Sequence, residues 1–154
     1  MKFILVLLSL LFVLPAQAAD KEIMPIAFVK DRLSIKTETG KIHKFNIEIA
    51  DTELKRRQGL MGRPSLKSKS GMLFMFDETT PQEFWMKDTL IPLDILFIDE
   101  AGRIETLYER AKPHDLTPIS SLKPVKAALE IGGGESARLG IKKGDLVQYK
   151  LFTK

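Results

Sequence analysis

The chain has 154 residues, a formal charge of +4 at neutral pH, 44% hydrophobic residues and no cysteine. Without cysteine there is no disulfide, no thiol nucleophile and no lipidated cysteine, and the length suits one domain that buries a core without staples. The basic residues are scattered among acids except at Lys55-Arg56-Arg57 and Lys67-Ser68-Lys69, and neither run interleaves with aromatics, so nucleic acid is not an expected partner.

Lys2 precedes an almost unbroken apolar run from Phe3 to Leu14, which Pro15 ends. Ala16-Gln17-Ala18 then has the small-x-small form cut by signal peptidase. The run is shorter than the roughly 20 apolar residues of a membrane span. We read residues 1–18 as a cleaved secretory signal, with an uncleaved anchor as the alternative, 19–29 as a lead-in, and 30–154 as one domain. No later run is long and apolar enough to span a membrane. The expected location is therefore periplasmic or secreted, with no stable transmembrane segment after cleavage.

"LSIKTETGKIHKFNIEIA" has the alternation of a hairpin, with Leu33 and Ile35 on one arm, Phe45, Ile47 and Ile49 on the other, and Glu38 to Lys41 at the turn. "ADTELKRRQGLMG" carries a helix signal: Asp51 or Thr52 as the cap, Glu53 in the first turn, Gly59 as the stop. "GMLFMF" predicts a buried strand. "PLDILFIDEAGRIETLYE" predicts a second hairpin turning at Asp99 to Gly102. From Arg110 to Pro124, three prolines predict a long structureless loop, a feature often functional. "VKAALEI" predicts a strand, Gly132-Gly133-Gly134 a tight turn, "ESARLG" one helical turn, and "IKKGDLVQYKLF" a turn and final strand. About eight short strands with one or two short helices predict a mainly β domain, a closed barrel or a sandwich.

His43 and His114 are not at zinc-ligand spacing, and the sequence has no HExxH or GxSxG. The triple glycine lacks the dinucleotide-binding form. No metal or cofactor is expected. Met61, Met72, Met75 and Met86 cluster in the chain and are soft ligands for Cu(I), but such residues more commonly fill core gaps. Among the acids, Asp94, Asp99, Glu105, Glu109 and Glu130 lie on expected strands or at their ends. Two of them brought together could hydrolyse a glycosidic bond. Asp94 shares a strand face with Leu96 and Ile98 and must be paired or hydrogen-bonded, either as a structural ion pair closing the barrel end or in a ligand site. The expected partner is Arg57 or Arg63, because a guanidinium fork suits a carboxylate. Trp85 is the only tryptophan in the chain, and it is expected in the same site.

The motifs "RRQGLMGRPSL", "GMLFMF", "FWMKDTLIPLDILFID", "LEIGGG" and "LGIKKGD" occur in this order. Together they resemble the domain-of-unknown-function 192 family over roughly residues 30 to 152. The resemblance implies a mainly β barrel or sandwich and no established activity. Its characteristic positions fall on Arg57, Gly59, Leu60, Met61, Arg63, Gly71, Met72, Phe74, Trp85, Met86, Lys87, Thr89, Pro92, Asp94, Glu130, Gly140, Gly144 and Asp145. The chain departs at Asp88, where the family commonly has Asn, and near Ile119, where it often has an aromatic.

These residues point to an exported binding or accessory domain rather than an enzyme. Arg57, Met61, Arg63, Trp85, Met86, Lys87, Asp88, Thr89, Asp94 and Glu130 form its expected ligand site. Trp85 offers a flat apolar face, Lys87 and Arg63 donors, and Asp88 and Asp94 acceptors. Such a mixture suits a small polar ligand, a glycan or a peptide. The alternatives are a cell-envelope glycan hydrolase using a carboxylate pair and a copper carrier.

Overall fold

The computed structural model describes residues 26–152. The expected signal segment, its cleavage site and most of the lead-in lie outside the described residues. The elements are β1 (Val29–Lys36), β2 (Ile42–Ala50), α1 (Glu53–Gln58), β3 (Ser70–Thr80), β4 (Glu83–Phe84), β5 (Leu93–Ile98), β6 (Ile104–Ala111), β7 (Ile119–Ser120), β8 (Val125–Gly132), α2 (Glu135–Leu139) and β9 (Leu146–Gln148). No helix among them is long and apolar enough to cross a membrane.

Seven strands form one sheet in the order β6-β5-β8-β3-β2-β1-β9, and β4 pairs with β7 alongside it. Every pairing is antiparallel except β2 with β3. Of barrel and sandwich, the chain takes the curl of a barrel. The sheet is a half-barrel whose two edges touch at one place: Arg103 bridges to Leu146, and the Val147 N–H donates to the Gly102 carbonyl at 2.7 Å.

Both faces of the sheet are apolar and both are covered. Leu33, Ile35, Phe45, Ile47, Leu96, Ile98, Leu129 and Val147 fill the inside of the curl. Met72, Phe74, Leu93, Ile95, Phe97 and Ala128 form a second core on the outer face, with Leu60, Met86 and Ile119 laid over it by the connections. A strand buried on both faces reads as a continuous apolar run rather than an alternating one, which accounts for "LDILFI".

The turns follow local chemistry. Thr52 caps α1 by accepting from the Lys55 N–H, and Gly59 ends the helix at φ 46°. Asp99 accepts from the N–H groups of Ala101 and Arg103 and folds the second hairpin. Asp145 accepts from the Lys142 and Glu38 N–H groups, pinning β9 to the first hairpin. The segment expected as a structureless proline loop is shorter than that. Arg110 and Ala111 end β6, and Ile119–Ser120 pair with β4. Between them, His114 donates to the Thr89 carbonyl and Asp115 accepts from the Met86 N–H, so this stretch is laced to the Trp85 segment. A two-residue strand carries no periodicity to read.

Asp94 is fully buried and satisfied by backbone alone. Its carboxylate accepts from the N–H groups of Arg110 at 2.9 Å, Gly134 at 2.8 Å and Ser136 at 2.9 Å. Neither expected arginine is its partner: Arg57 pairs with Glu53 at 2.8 Å and Arg63 with Glu48 at 2.6 Å. The reason is local. Opposite Asp94 the β5–β6 ladder shifts register, so Glu109 and Arg110 both fall between the pairs Leu93–Ala111 and Ile95–Tyr108. Such a bulge leaves a backbone N–H outside the ladder, and Asp94 takes it. Gly134 and Ser136 start α2, whose N-cap glycine has no side chain to serve those N–H groups.

Asp94→Asn should therefore cost about 3 kcal/mol, because an amide nitrogen then faces buried donors. Arg57→Ala and Arg63→Ala should each stay within roughly 0.5 kcal/mol of wild type. Urea midpoints of the three variants decide the point; an unchanged midpoint for Asp94→Asn would mean that the carboxylate does not carry these bonds.

Candidate functional site

A cleft of about 660 Å³ opens on the outer face of the sheet, between α1 with its following turn and the segment from Gln82 to Thr89. The α1 side contributes Glu53, Arg56, Arg57, Gln58, Gly59, Leu60 and Met61. The opposite side contributes Gln82, Glu83, Phe84, Trp85, Lys87 and Thr89, and the sheet contributes Phe74, Phe76 and Glu130.

Each wall is fixed by ordinary local physics. Arg56 Nη1 donates to the Met75 carbonyl at 2.8 Å, tying α1 to β3. Gly59 lies over the Phe74 ring, and a Cβ there would sit 3.2 Å from its Cζ. On the other wall Phe84 packs edge-on against Phe74 and Phe97, with centroids 5.1 and 5.5 Å apart. Met86 is fully buried beside it. Chain alternation then turns the intervening Trp85 and the following Lys87 outward. Trp85 is 55% exposed, and the Lys87 ammonium lies 5.9 Å from its ring centroid. Asp88 is left-handed at φ 52°, and its carbonyl accepts from Gly62 at 2.8 Å. Asp and Asn are the side chains that tolerate this conformation best, so the backbone explains the residue type.

Glu130 closes the floor. It sits in register between Met72 of β3 and Ile95 of β5, among apolar side chains. It is 5% exposed. Among the described residues its carboxyl has no hydrogen-bond or ion-pair partner, and burial alone pushes its pKa up to about 8. The carboxyl is neutral at pH 7 and can both donate and accept a hydrogen bond.

The structure brings together Arg57, Met61, Trp85, Lys87, Thr89 and Glu130 of the expected site. It separates the rest. Arg63 faces a different recess with Glu48 and stacks over Phe28. Met86 is core, and Asp88 is an exposed turn residue. Asp94 points to the inside of the curl, so it and Trp85 do not share a site. The other expected acids are elsewhere too: Asp99 serves its turn, Glu105 pairs with Lys123 and Lys143, and Glu109 is exposed. The methionines are also divided. Met72 and Met86 lie in the outer core, Met75 against the inner one, and Met61 on the cleft wall. No group of three or more His, Asp or Glu side chains among the described residues is placed to hold a metal ion.

A half-barrel with an aromatic-walled cleft over a bare buried carboxyl defines a small mainly β domain of a recurring type. The sequence profile of the domain-of-unknown-function 192 family, described as uncharacterised, matches residues 34–149, and the chain belongs to that family. A crystal structure from Sinorhizobium meliloti, of a protein named provisionally as a transcription regulator, is similar at 40% identity and a TM-score of 0.79. The match covers 80% of this chain and 96% of that one. A protein of unknown function from Novosphingobium aromaticivorans is similar at 37% identity and a TM-score of 0.75, covering 83% of this chain and 89% of its own. No curated protein matches the sequence.

Glu130 makes stability depend on pH in a defined direction. The unfolded chain ionises at the ordinary value of 4.5, while the folded chain holds the proton to about 8. The folded state thus binds more protons between these values, and stability falls as pH rises through that window. Relative to Glu130→Gln, the wild-type urea midpoint should drop between pH 5 and pH 8. Parallel pH profiles for the two proteins would show a hydrated carboxyl instead.

Proposed function

We propose that this chain is an exported binding or accessory domain that takes a small polar ligand, a sugar or a peptide segment into the cleft between Trp85 and α1. The observation that carries this reading is Glu130. A carboxyl so desolvated costs several kcal/mol unless something meets it. Its position at the floor of an open cleft leaves that place to a ligand. Trp85 at the rim gives a rigid apolar platform, and Thr89, Gln58 and Gln82 line the cleft with groups that both donate and accept. Sites of this composition bind rather than merely pack.

Export is supported by the apolar N-terminal run and the Ala-x-Ala site. The name given to the Sinorhizobium meliloti protein suggests DNA. Against carrying it over stand the helices of the described residues, six and five residues long, too short to lie along a major groove as a recognition helix. Glycan hydrolysis is a second reading, favoured by one feature: a neutral carboxyl at pH 7 is what a general acid requires.

A thermal-shift screen of glycans, short peptides and small metabolites tests the reading. Ligands held at a hundred times their dissociation constant should stabilise by about 2.7 kcal/mol. Trp85→Leu should abolish the shift while leaving basal stability nearly unchanged, because the ring is more than half exposed. Ligands that stabilise both proteins equally bind elsewhere, and the cleft then has no such role. Intact mass of the exported protein should give an N-terminus at Ala19; a full-length membrane-bound species would remove the export half of the proposal.

A further inference from the structure

The charges around the cleft are unequally served. Arg56 bonds the Met75 carbonyl and pairs with Asp77, and Arg57 pairs with Glu53. Lys87 lies over the Trp85 ring. Glu83 is exposed to water. The buried Glu130 carboxyl has no partner among the described residues, although it lines the same cleft. Phe74, Phe84 and Trp85 line the same cleft, rings whose faces carry partial negative charge.

We infer that the group reaching the floor of the cleft is an organic cation, a primary ammonium or a guanidinium, met by the Glu130 carboxylate and flanked by Phe74, Phe84 and Trp85. The inference rests on the proposed binding role of this cleft and names the chemistry of what enters it. Three features favour a cation over other polar groups. An anion at the floor would face a carboxyl able to ionise against it. A neutral hydroxyl could bond the carboxyl but would leave its charge-forming capacity unused in the driest part of the cleft. A cation meets both the acid and the ring faces, and its hydrocarbon stem suits the apolar wall. A volume of about 660 Å³ accommodates an aminoalkyl chain with room for the backbone that bears it. The source is either a free amine or a Lys or Arg side chain of a peptide.

Proton balance gives the inference a sign. Below pH 8 the free site holds its proton and the incoming amine is already charged. Binding forms an ammonium–carboxylate pair and releases the Glu130 proton to solvent. Affinity should therefore rise about tenfold per pH unit up to roughly 8 and then level off. A ligand that uses the protonated carboxyl as a donor would bind with nearly constant affinity below pH 7 and weaken only as pH rises through about 8. Glu53, Arg56 and Arg57 from α1 and Glu83 and Lys87 from the opposite wall are the other charged groups facing the cleft. They are common to the wild type and to Glu130→Gln, so comparing the two proteins isolates the contribution of the floor.

Trp85, as the only tryptophan, makes intrinsic fluorescence a reporter of the cleft. The probes are n-butylamine, the end-blocked tripeptide acetyl-Gly-Lys-Gly-amide, its form acetylated on the lysine side chain, n-butanol and butyrate, each titrated at pH 6, 7 and 8. Calorimetry in two buffers of different ionisation enthalpy counts protons. The expected result is at least tenfold tighter binding of the amine or the lysine peptide than of the side-chain-acetylated, alcohol or acid counterparts. Nearly one proton should be released at pH 6, and Glu130→Gln should lose both the preference and the pH slope. Binding by both cationic probes points to a free amine; binding by the peptide alone points to a polypeptide. If glycans or the neutral and acidic probes quench Trp85 while the amines do not, the cleft binds ligands and the cation inference is overturned. If no probe or screened ligand changes Trp85 fluorescence, the binding role itself falls.

Discussion

One carboxylate ties β5 to the chain on both sides of it at one end of the half-barrel. Asp94 collects N–H groups from the bulge of β6 and from the start of α2, two segments far apart in the chain. Each of those groups would otherwise be stranded, one by the register shift and two by a helix start without a capping side chain. A buried carboxylate is tolerable only when its acceptors are filled, and buried N–H groups only when they have acceptors. Here each need removes the other. The close approach also explains the glycines before α2. A Cβ on Gly133 would lie 2.8 Å from the Pro92 side chain, and one on Gly134 would lie 2.8 Å from the Arg110 guanidinium. Gly134 is moreover left-handed at φ 85°.

Glu130 meets the same desolvation on the opposite face and has a different fate. Both acids lie on central strands that are otherwise apolar, and β5 and β8 are direct neighbours. The difference is what each face offers. The inner face ends at a bulge and a helix start, which are rich in unspent donors. The outer face above Glu130 offers aromatic rings and aliphatic side chains. One acid therefore stabilises the fold while the other keeps its proton and waits at the floor of a cleft. Strained or unsatisfied groups of this kind gather at functional sites because packing elsewhere can bear their cost.

Much of the fold was legible because its signals are local. Both hairpins carry alternation and a glycine turn, and α1 carries a cap, an acidic first turn and a stop at Gly59. The pairing of β4 with β7 was not legible, since two residues have no period. Of the site, the sequence showed that Asp94, an acid inside an apolar strand, must be answered, and three backbone N–H groups answer it. It did not show which face supplies donors, because that depends on a register shift in β6 and on where α2 begins. It also favoured an arginine for Asp94, since side-chain partners are visible in a sequence and backbone N–H groups are not. Arg56 and Phe84 escaped notice for a related reason: their roles follow from long-range packing against β3 and β5, not from spacing.

The cleft is a consequence of topology more than of any one motif. β2 and β3 form the single parallel pairing of the described sheet. Parallel neighbours cannot be joined by a tight turn; the chain must cross back over the sheet. That crossing carries α1 over the outer face and so builds one wall. The second wall is the connection from β3 to β5, which leaves the sheet after Thr80 and returns at Leu93. Both walls are thus connections laid on a rigid floor, where side chains change with little effect on the core. The floor is different, because Glu130 sits in register between β3 and β5 and cannot be moved without moving the sheet. On the binding role proposed for this cleft, the walls would set which ligand is preferred, whereas the acid beneath them would set the chemistry that any such ligand must satisfy.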